Sequence, residues 1–357
     1  MERRNGTSLR GRGAVDNPAG RYESTRTVPF DDHWSLGEEE PRLPTIVQPE
    51  ETRKILSSNT SPDVPFNRSV NPYKGCEHGC IYCFARPTHA YLGLSPGLDF
   101  ETRIVSKPDA ARLLRKELGR KNYQPETIAL GANTDPYQPA EEELRITRSV
   151  LEVLEDFGHP VAIITKSARV LRDRDILARL AARNLVQVYL SITTLDPQLA
   201  RRMEPRASSP QLRVRALHGL RDAGIPAGVL ASPMIPALND HELEGILEAA
   251  SAAGADRAGY ILLRLPGEVA ELFESWLRHH YPDRANRVLE QIRACREGDL
   301  YEPEFGSRMT GTGPYAELLQ RRFNLAVRRL GLDEERPPLS RRHFKVPEHK
   351  RPQLQLF

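Results

Sequence analysis

One punctuation mark occurs twice in this chain: an acidic residue, a glycine two residues later, a proline two residues after that, and then an apolar run. It reads Asp156-Phe157-Gly158-His159-Pro160 before the run at 161–165, and Asp222-Ala223-Gly224-Ile225-Pro226 before the run at 227–232. Glycine supplies the left-handed residue that ends a helix, and proline keeps the helix from resuming. Asn184 stands in the same relation to the run at 186–193. Upstream of the first glycine, Ile146, Val150, Val153, Leu154 and Phe157 share one helical face over residues 140–157. The acidic residues Glu141, Glu142 and Glu143 lie in the expected first turn, where the helix dipole favours them. Further apolar runs fall at 127–131 and 258–263, and a first strand is expected near 68–73. A repeated helix, cap and buried strand specifies βα units around a parallel sheet. Six such units predict an α/β fold, a partial (β/α)6 TIM-type barrel, over residues 61–265.

The flanks differ in composition. Residues 1–60 are rich in Arg, Gly, Pro, Ser and Glu without sustained periodicity, and read as an extended or partly disordered arm with Trp34 as an anchor. Residues 266–332 form a helical C-terminal extension, with helices expected at 268–277, 286–296 and 315–330. Residues 333–357 read as a flexible basic tail. The 357 residues carry a net charge of only +3, too little to require a nucleic-acid partner, but arginines gather in the first dozen residues and basic residues recur at Arg341, Arg342, Lys345, Lys350 and Arg351. No apolar run is long enough for a membrane span, and the first residues lack the apolar core of a signal peptide, so no membrane association and a cytoplasmic location are expected.

Three of the four cysteines stand in one loop, Cys76-Glu77-His78-Gly79-Cys80-Ile81-Tyr82-Cys83; the fourth is Cys295. A disulfide framework does not fit so few cysteines in a chain long enough to build its own core. Three thiolates at C-x3-C-x2-C spacing suit a 4Fe–4S cluster with one iron left for a small molecule to chelate. The alternative is a structural zinc with His78 or His89 as fourth ligand, although no second pair of ligands follows at the usual distance.

The string from Asn71 through Cys83, following the first strand of a partial barrel, resembles the radical S-adenosylmethionine (SAM) superfamily, in its spore-photoproduct-lyase-like branch. The resemblance implies that Cys76, Cys80 and Cys83 hold a 4Fe–4S cluster and that reductive cleavage of SAM yields a 5′-deoxyadenosyl radical, with flavodoxin or ferredoxin as electron donor. It also implies a SAM site made by Tyr82 at the adenine, Thr134 and Asp135 at the amino group, Lys166 at the carboxylate, and Ser191. These residues fall at successive strand ends, where barrel active sites are built. The substrate it points to is damaged or modified DNA; modification of RNA, protein or a metabolite, or a non-catalytic iron–sulfur sensor, are the alternatives. The sequence departs from the lyase at Ala132, which replaces its hydrogen-donor cysteine. Substitute donors are Tyr137, Cys295, Tyr301 and Tyr315, each of which also suits a core or surface role. Glu204-Pro205-Arg206 reads as a substrate or ribose contact or as a solvated loop, and the glycine-rich 306–313 as an anion cradle or a helix cap. The last residues, Gln353-Leu354-Gln355-Leu356-Phe357, resemble the peptide by which bacterial repair proteins dock on the DNA sliding clamp, which makes that clamp an expected partner.

Overall fold

The computed structural model describes residues 11–22 and 43–347. Among the described residues there are ten strands: β1 (Ile46–Pro49), β2 (Leu56–Ser58), β3 (Arg68–Val70), β4 (Tyr73–Lys74), β5 (Arg103–Ser106), β6 (Ile128–Leu130), β7 (Val161–Thr165), β8 (Val186–Ser191), β9 (Ala227–Met234) and β10 (Arg257–Leu262). The helices are α1 (Asp99–Thr102), α2 (Ala110–Leu118), α3 (Glu141–Leu144), α4 (Ile146–Phe157), α5 (Arg174–Ala181), α6 (Pro197–Met203), α7 (Pro210–Asp222), α8 (Leu243–Ala252), α9 (Val269–His280), α10 (Pro282–Ala294) and α11 (Gly313–Leu330).

The main sheet runs β10-β9-β8-β7-β6-β3-β2. Its six strands from β3 to β10 pair in parallel with their neighbours in chain order, and β2 adds antiparallel to β3. This is the expected partial (β/α)6 barrel, and each of the six anticipated runs supplies one strand. Gly158 and Gly224 are left-handed at φ 58° and 68°, and Asn184 does the same work at 52°. Ile146, Val150, Val153, Leu154 and Phe157 are all buried in the main core cluster.

The helix expected over 140–157 is broken. Arg145 turns left-handed at φ 50°, which separates α3 from α4. The cause is Glu141. Its buried carboxylate accepts the Thr147 N–H at 3.0 Å and is paired with Arg172 at 2.8 Å, so the acid caps α4 from the preceding turn.

A second, three-stranded sheet, β1-β5-β4, is absent from the sequence reading. β4 leads into the cysteine loop and β5 leaves it, paired antiparallel, so the loop is an excursion with both ends fixed.

The expected extended arm is ordered where it is described. β1 and β2 lie within it, and residues 12–21 form a strap. Glu101 accepts the N–H groups of Gly13 and Ala14 at 2.9 Å, while the buried Arg12 donates to the Glu101 and Leu43 carbonyls. Further along, Asp16 bonds Ser275, and Arg21 forks onto Glu268 with two 2.8 Å bonds. The strap therefore ties the loop after the first barrel strand to the helix after the last. Contact is close: a Cβ on Gly13 would lie 1.8 Å from the Gly79 carbonyl oxygen. Trp34 lies outside the described residues.

The tail expected to be flexible from residue 333 is docked as far as Lys345. The Ser340 N–H reaches the Asn184 carbonyl at 2.8 Å and the Lys345 N–H reaches Phe157 at 3.0 Å. Phe344 packs on Tyr123, Phe157 and His159. An aromatic residue among the basic ones supplies the apolar anchor that net charge conceals. The clamp-like peptide, residues 353–357, lies outside the described residues. Among the described residues no helix is long and apolar enough to cross a membrane.

Candidate active site

The cysteine loop is held from behind by one arginine. Arg86 is fully buried and donates to the carbonyls of Cys80 at 2.9 Å, Pro96 at 2.9 Å and Gly97 at 2.8 Å, and it pairs with Glu101. A guanidinium can satisfy several carbonyls of one turn because its donors lie in a fixed plane. Gly79, at φ 67°, takes the left-handed position between the first two cysteines.

Cys76 and Cys80 are buried and Cys83 is partly so. Burial pushes all three thiols up from their ordinary value, and the Asp135 carboxylate, then Cys80 and Cys83, push Cys76 further. Backbone N–H groups oppose this, from Asp135 onto Cys76 and from Ala85 and Arg86 onto Cys83. The two histidines named as a fourth zinc ligand each keep one buried ring nitrogen without a hydrogen-bond partner, His78 Nε2 and His89 Nδ1. His78 faces Asp135 at 3.4 Å, and His89 bonds the Arg103 carbonyl at 3.0 Å.

The strand-end residues meet beside the loop. Lys166, just after β7, donates to Ser191 at 2.6 Å, to Thr193 at 3.3 Å and to the Ser232 carbonyl at 3.1 Å. Its ammonium lies 5.6 Å from the centre of the Tyr82 ring. Three successive strands, β7, β8 and β9, thus converge on one lysine. Asp135 plays a connecting part: it accepts the Thr165 hydroxyl and the Lys166 N–H at 2.7 Å, and the Tyr137 N–H at 2.8 Å. Burial works against its charge, but His78 and these donors hold the carboxyl below its usual range. Thr134 spends its hydroxyl on the Tyr73 carbonyl at 2.9 Å.

Glu204 and Arg213 complete the centre. Glu204, read from sequence as a substrate contact or a solvated loop residue, is buried and paired with Arg213 and, at 3.3 Å, with Lys166. It also accepts the Tyr82 and Thr193 hydroxyls. Burial alone would raise its carboxyl; Arg213 and Lys166 outweigh it and hold the group well below the usual carboxylate range. Two cations share one anion, so the cluster retains one positive charge for an incoming carboxylate. Arg213 escaped the sequence reading because a charged residue on a helix reads as solvated; its burial depends on Glu204, nine positions away.

A model of the radical SAM superfamily matches residues 70–250, just over half of the chain. The chain belongs to the radical SAM superfamily. An uncharacterized protein of Mycobacterium tuberculosis is 39% identical over 232 residues, covering 64% of this chain and 68% of its own length. An uncharacterized protein of Methanocaldococcus jannaschii is 30% identical over 174 residues, covering 48% and 62%. Among solved structures, a spore photoproduct lyase mutant with bound AdoMet and dinucleoside spore photoproduct has a TM-score of 0.55 at 16% identity, covering 80% of this chain and 78% of that one. A second mutant of that lyase gives 0.56 at 16% identity, covering 84% and 86%. These likenesses show a shared fold. Radical SAM membership makes the protein an enzyme and implies a 4Fe–4S cluster and SAM as its cofactors.

The hydrogen-donor candidates separate in this radical SAM frame. Tyr137 is fully buried in the main core, and Cys295 is buried there too at the end of α10. Tyr301 is partly exposed. Tyr315 is partly buried and gives its hydroxyl to Asp240. The glycine-rich stretch serves as loop and helix cap: its Gly306 N–H already meets Asp63 at 2.7 Å.

Proposed function

We propose that the protein holds a 4Fe–4S cluster on Cys76, Cys80 and Cys83, binds SAM beside Lys166, Ser191 and Tyr82, and uses the resulting radical on damaged or modified DNA. The observation that carries the reading is the meeting of three otherwise unpaired thiols with a lysine on which three strand ends converge. Buried thiols that favour their protonated form need a metal to draw off the protons, and N–H groups aimed at two of the sulfurs stabilise them as thiolates. When bound, the cluster supplies the electron that cleaves SAM to methionine and a 5′-deoxyadenosyl radical.

The chain's own residues bind and orient. Lys166, carrying the surplus charge of the Lys166–Glu204–Arg213 group, offers a partner for the SAM carboxylate. Tyr82 offers a ring edge for the adenine, its hydroxyl fixed by Glu204 and Thr193. Asp135 keeps the strand ends in register with the cysteine loop through the Lys166 N–H and His78. The likeness in fold to a lyase solved with a dinucleoside photoproduct supports a DNA substrate. Ala132 argues for a lesion other than the spore photoproduct, because no thiol stands at that position.

The test is isotope transfer. Duplex DNA deuterated at its sugars and bases, ultraviolet-damaged, is incubated with reconstituted, reduced protein and SAM. Deuterium is expected in 5′-deoxyadenosine or recovered SAM, above the level with undamaged duplex. Absence of label from both, with turnover otherwise intact, would remove DNA as the substrate.

A further inference from the structure

The loop after β9 borders the candidate active site on one side and a separate cleft on the other. Its Leu238 packs in the cluster that contains Cys80, Ile81 and Tyr82, and its Asn239 amide donates to the Thr193 carbonyl at 2.7 Å. Immediately beyond, Ala237, Asp240 and His241 line a cleft of about 520 Å³ with Arg284, Arg287 and Gln291 of α10 and Tyr315 of α11. That volume is in the range of small-ligand sites and suits a nucleotide unit.

The wall contributed by α10 is one-sided. Arg284, Arg287 and Gln291 recur at spacings of three and four, which sets them along one face, while Ala285, Val288, Leu289 and Ile292 are buried on the other. Both arginines are exposed. On the neighbouring helix α11, Arg322 and Arg329 are paired with Glu244 and Glu248. Arg284 and Arg287 have no carboxylate partner among the described residues. The acid in the opposite wall, Asp240, is buried and occupied by the Tyr315 hydroxyl. Burial, then Asp240, push that phenol up to about 12, which keeps it a donor. Ala237 holds a left-handed backbone at φ 61°, uncommon for a residue with a side chain. Formal charge in the cleft is +1 with His241 neutral, and the outward-facing groups are the cationic ones.

We infer that this rim cleft grips a phosphodiester of the DNA strand whose neighbouring nucleotide reaches the barrel mouth. Two guanidinium forks suit the non-bridging oxygens of a phosphate, and the Gln291 amide can donate beside them. The inference rests on the DNA reading above and assigns that substrate a second point of attachment, one loop away from Lys166.

The experiment is fluorescence anisotropy of a labelled ultraviolet-damaged duplex with reconstituted full-length protein, titrated between about 50 and 200 mM salt. Each phosphate contact contributes about 0.9 to the slope of log affinity against log salt, so R284Q/R287Q, which removes one such contact, is expected to flatten it by about 0.9. Affinity should fall by about tenfold per arginine removed. The charge-conserving R284K/R287K should keep the slope, and melting curves of all proteins check folding. Wild-type binding with an unchanged slope in R284Q/R287Q would overturn the cleft and leave the DNA reading standing. A flattened slope in R284K/R287K would overturn it as well, because charge would not be the cause. Failure of the wild type to bind the duplex at any salt would sink the DNA reading itself.

Discussion

Replacing Cys80 by alanine is expected to leave a folded protein that cannot assemble its cluster. The thiol is buried beneath the loop, and its removal deletes few contacts, since a cysteine-to-alanine change shortens the side chain by one atom. Arg86 still grips the carbonyls of Cys80, Pro96 and Gly97, and Glu101 still anchors the strap. The loop should therefore keep its course. What disappears is one of three thiolate ligands, and with it the site as a chelate. Iron and sulfide after anaerobic reconstitution should fall from about four each per chain to near zero, while far-ultraviolet circular dichroism is retained. Full iron content in C80A would contradict the assignment of the loop, and a collapse of the circular dichroism would show that the cysteine is structural instead.

The second large effect concerns stability. Glu204→Gln keeps the shape of the side chain but leaves Arg213, about 1% exposed, and Lys166 without their shared anion. Breaking a buried pair from one side costs about 3–5 kcal/mol, because the remaining charge is stranded out of water. A corresponding fall in the urea midpoint is expected at neutral pH. The pH dependence has a definite sign. Glu204 is held below its ordinary value, so its contribution is fully present above about pH 4.3 and is lost as pH falls from there toward the folded value. Wild type and E204Q should thus converge in acid. A constant difference down to low pH would show that the lost stability has another origin, such as the geometry of the Tyr82 hydroxyl.

The two halves of the molecule were unequally legible from sequence. Barrel strands announce themselves because each is a short apolar run set between cap residues, and Gly158, Asn184 and Gly224 adopt the left-handed conformation their positions require. Lys166 and Ser191 were named through the family resemblance, and the fold sets both at strand ends, where their side chains meet. The second sheet was not legible. β1 is exposed along its length, and β4 has two residues, so neither shows the alternation that marks a half-buried strand. Long-range electrostatics were hidden too. Arg12, Arg86 and Arg213 look like solvated charges, yet their partners lie between 9 and 89 residues away. Only the fold brings Glu101 under Arg86 and Glu204 between two cations. The break at Arg145 belongs to the same class: the acids of 141–143 were correctly placed at a helix start, but Glu141 caps the next helix by folding forward.

The thiols and the lysine group are proposed to form one SAM-cleaving site. The most direct test is to give anaerobically reconstituted protein SAM and dithionite and to quantify 5′-deoxyadenosine. Release is expected from the wild type, with loss of nearly all of it in K166M at unchanged iron content. Absence of 5′-deoxyadenosine from wild-type protein carrying a full complement of iron and sulfide would contradict the claim.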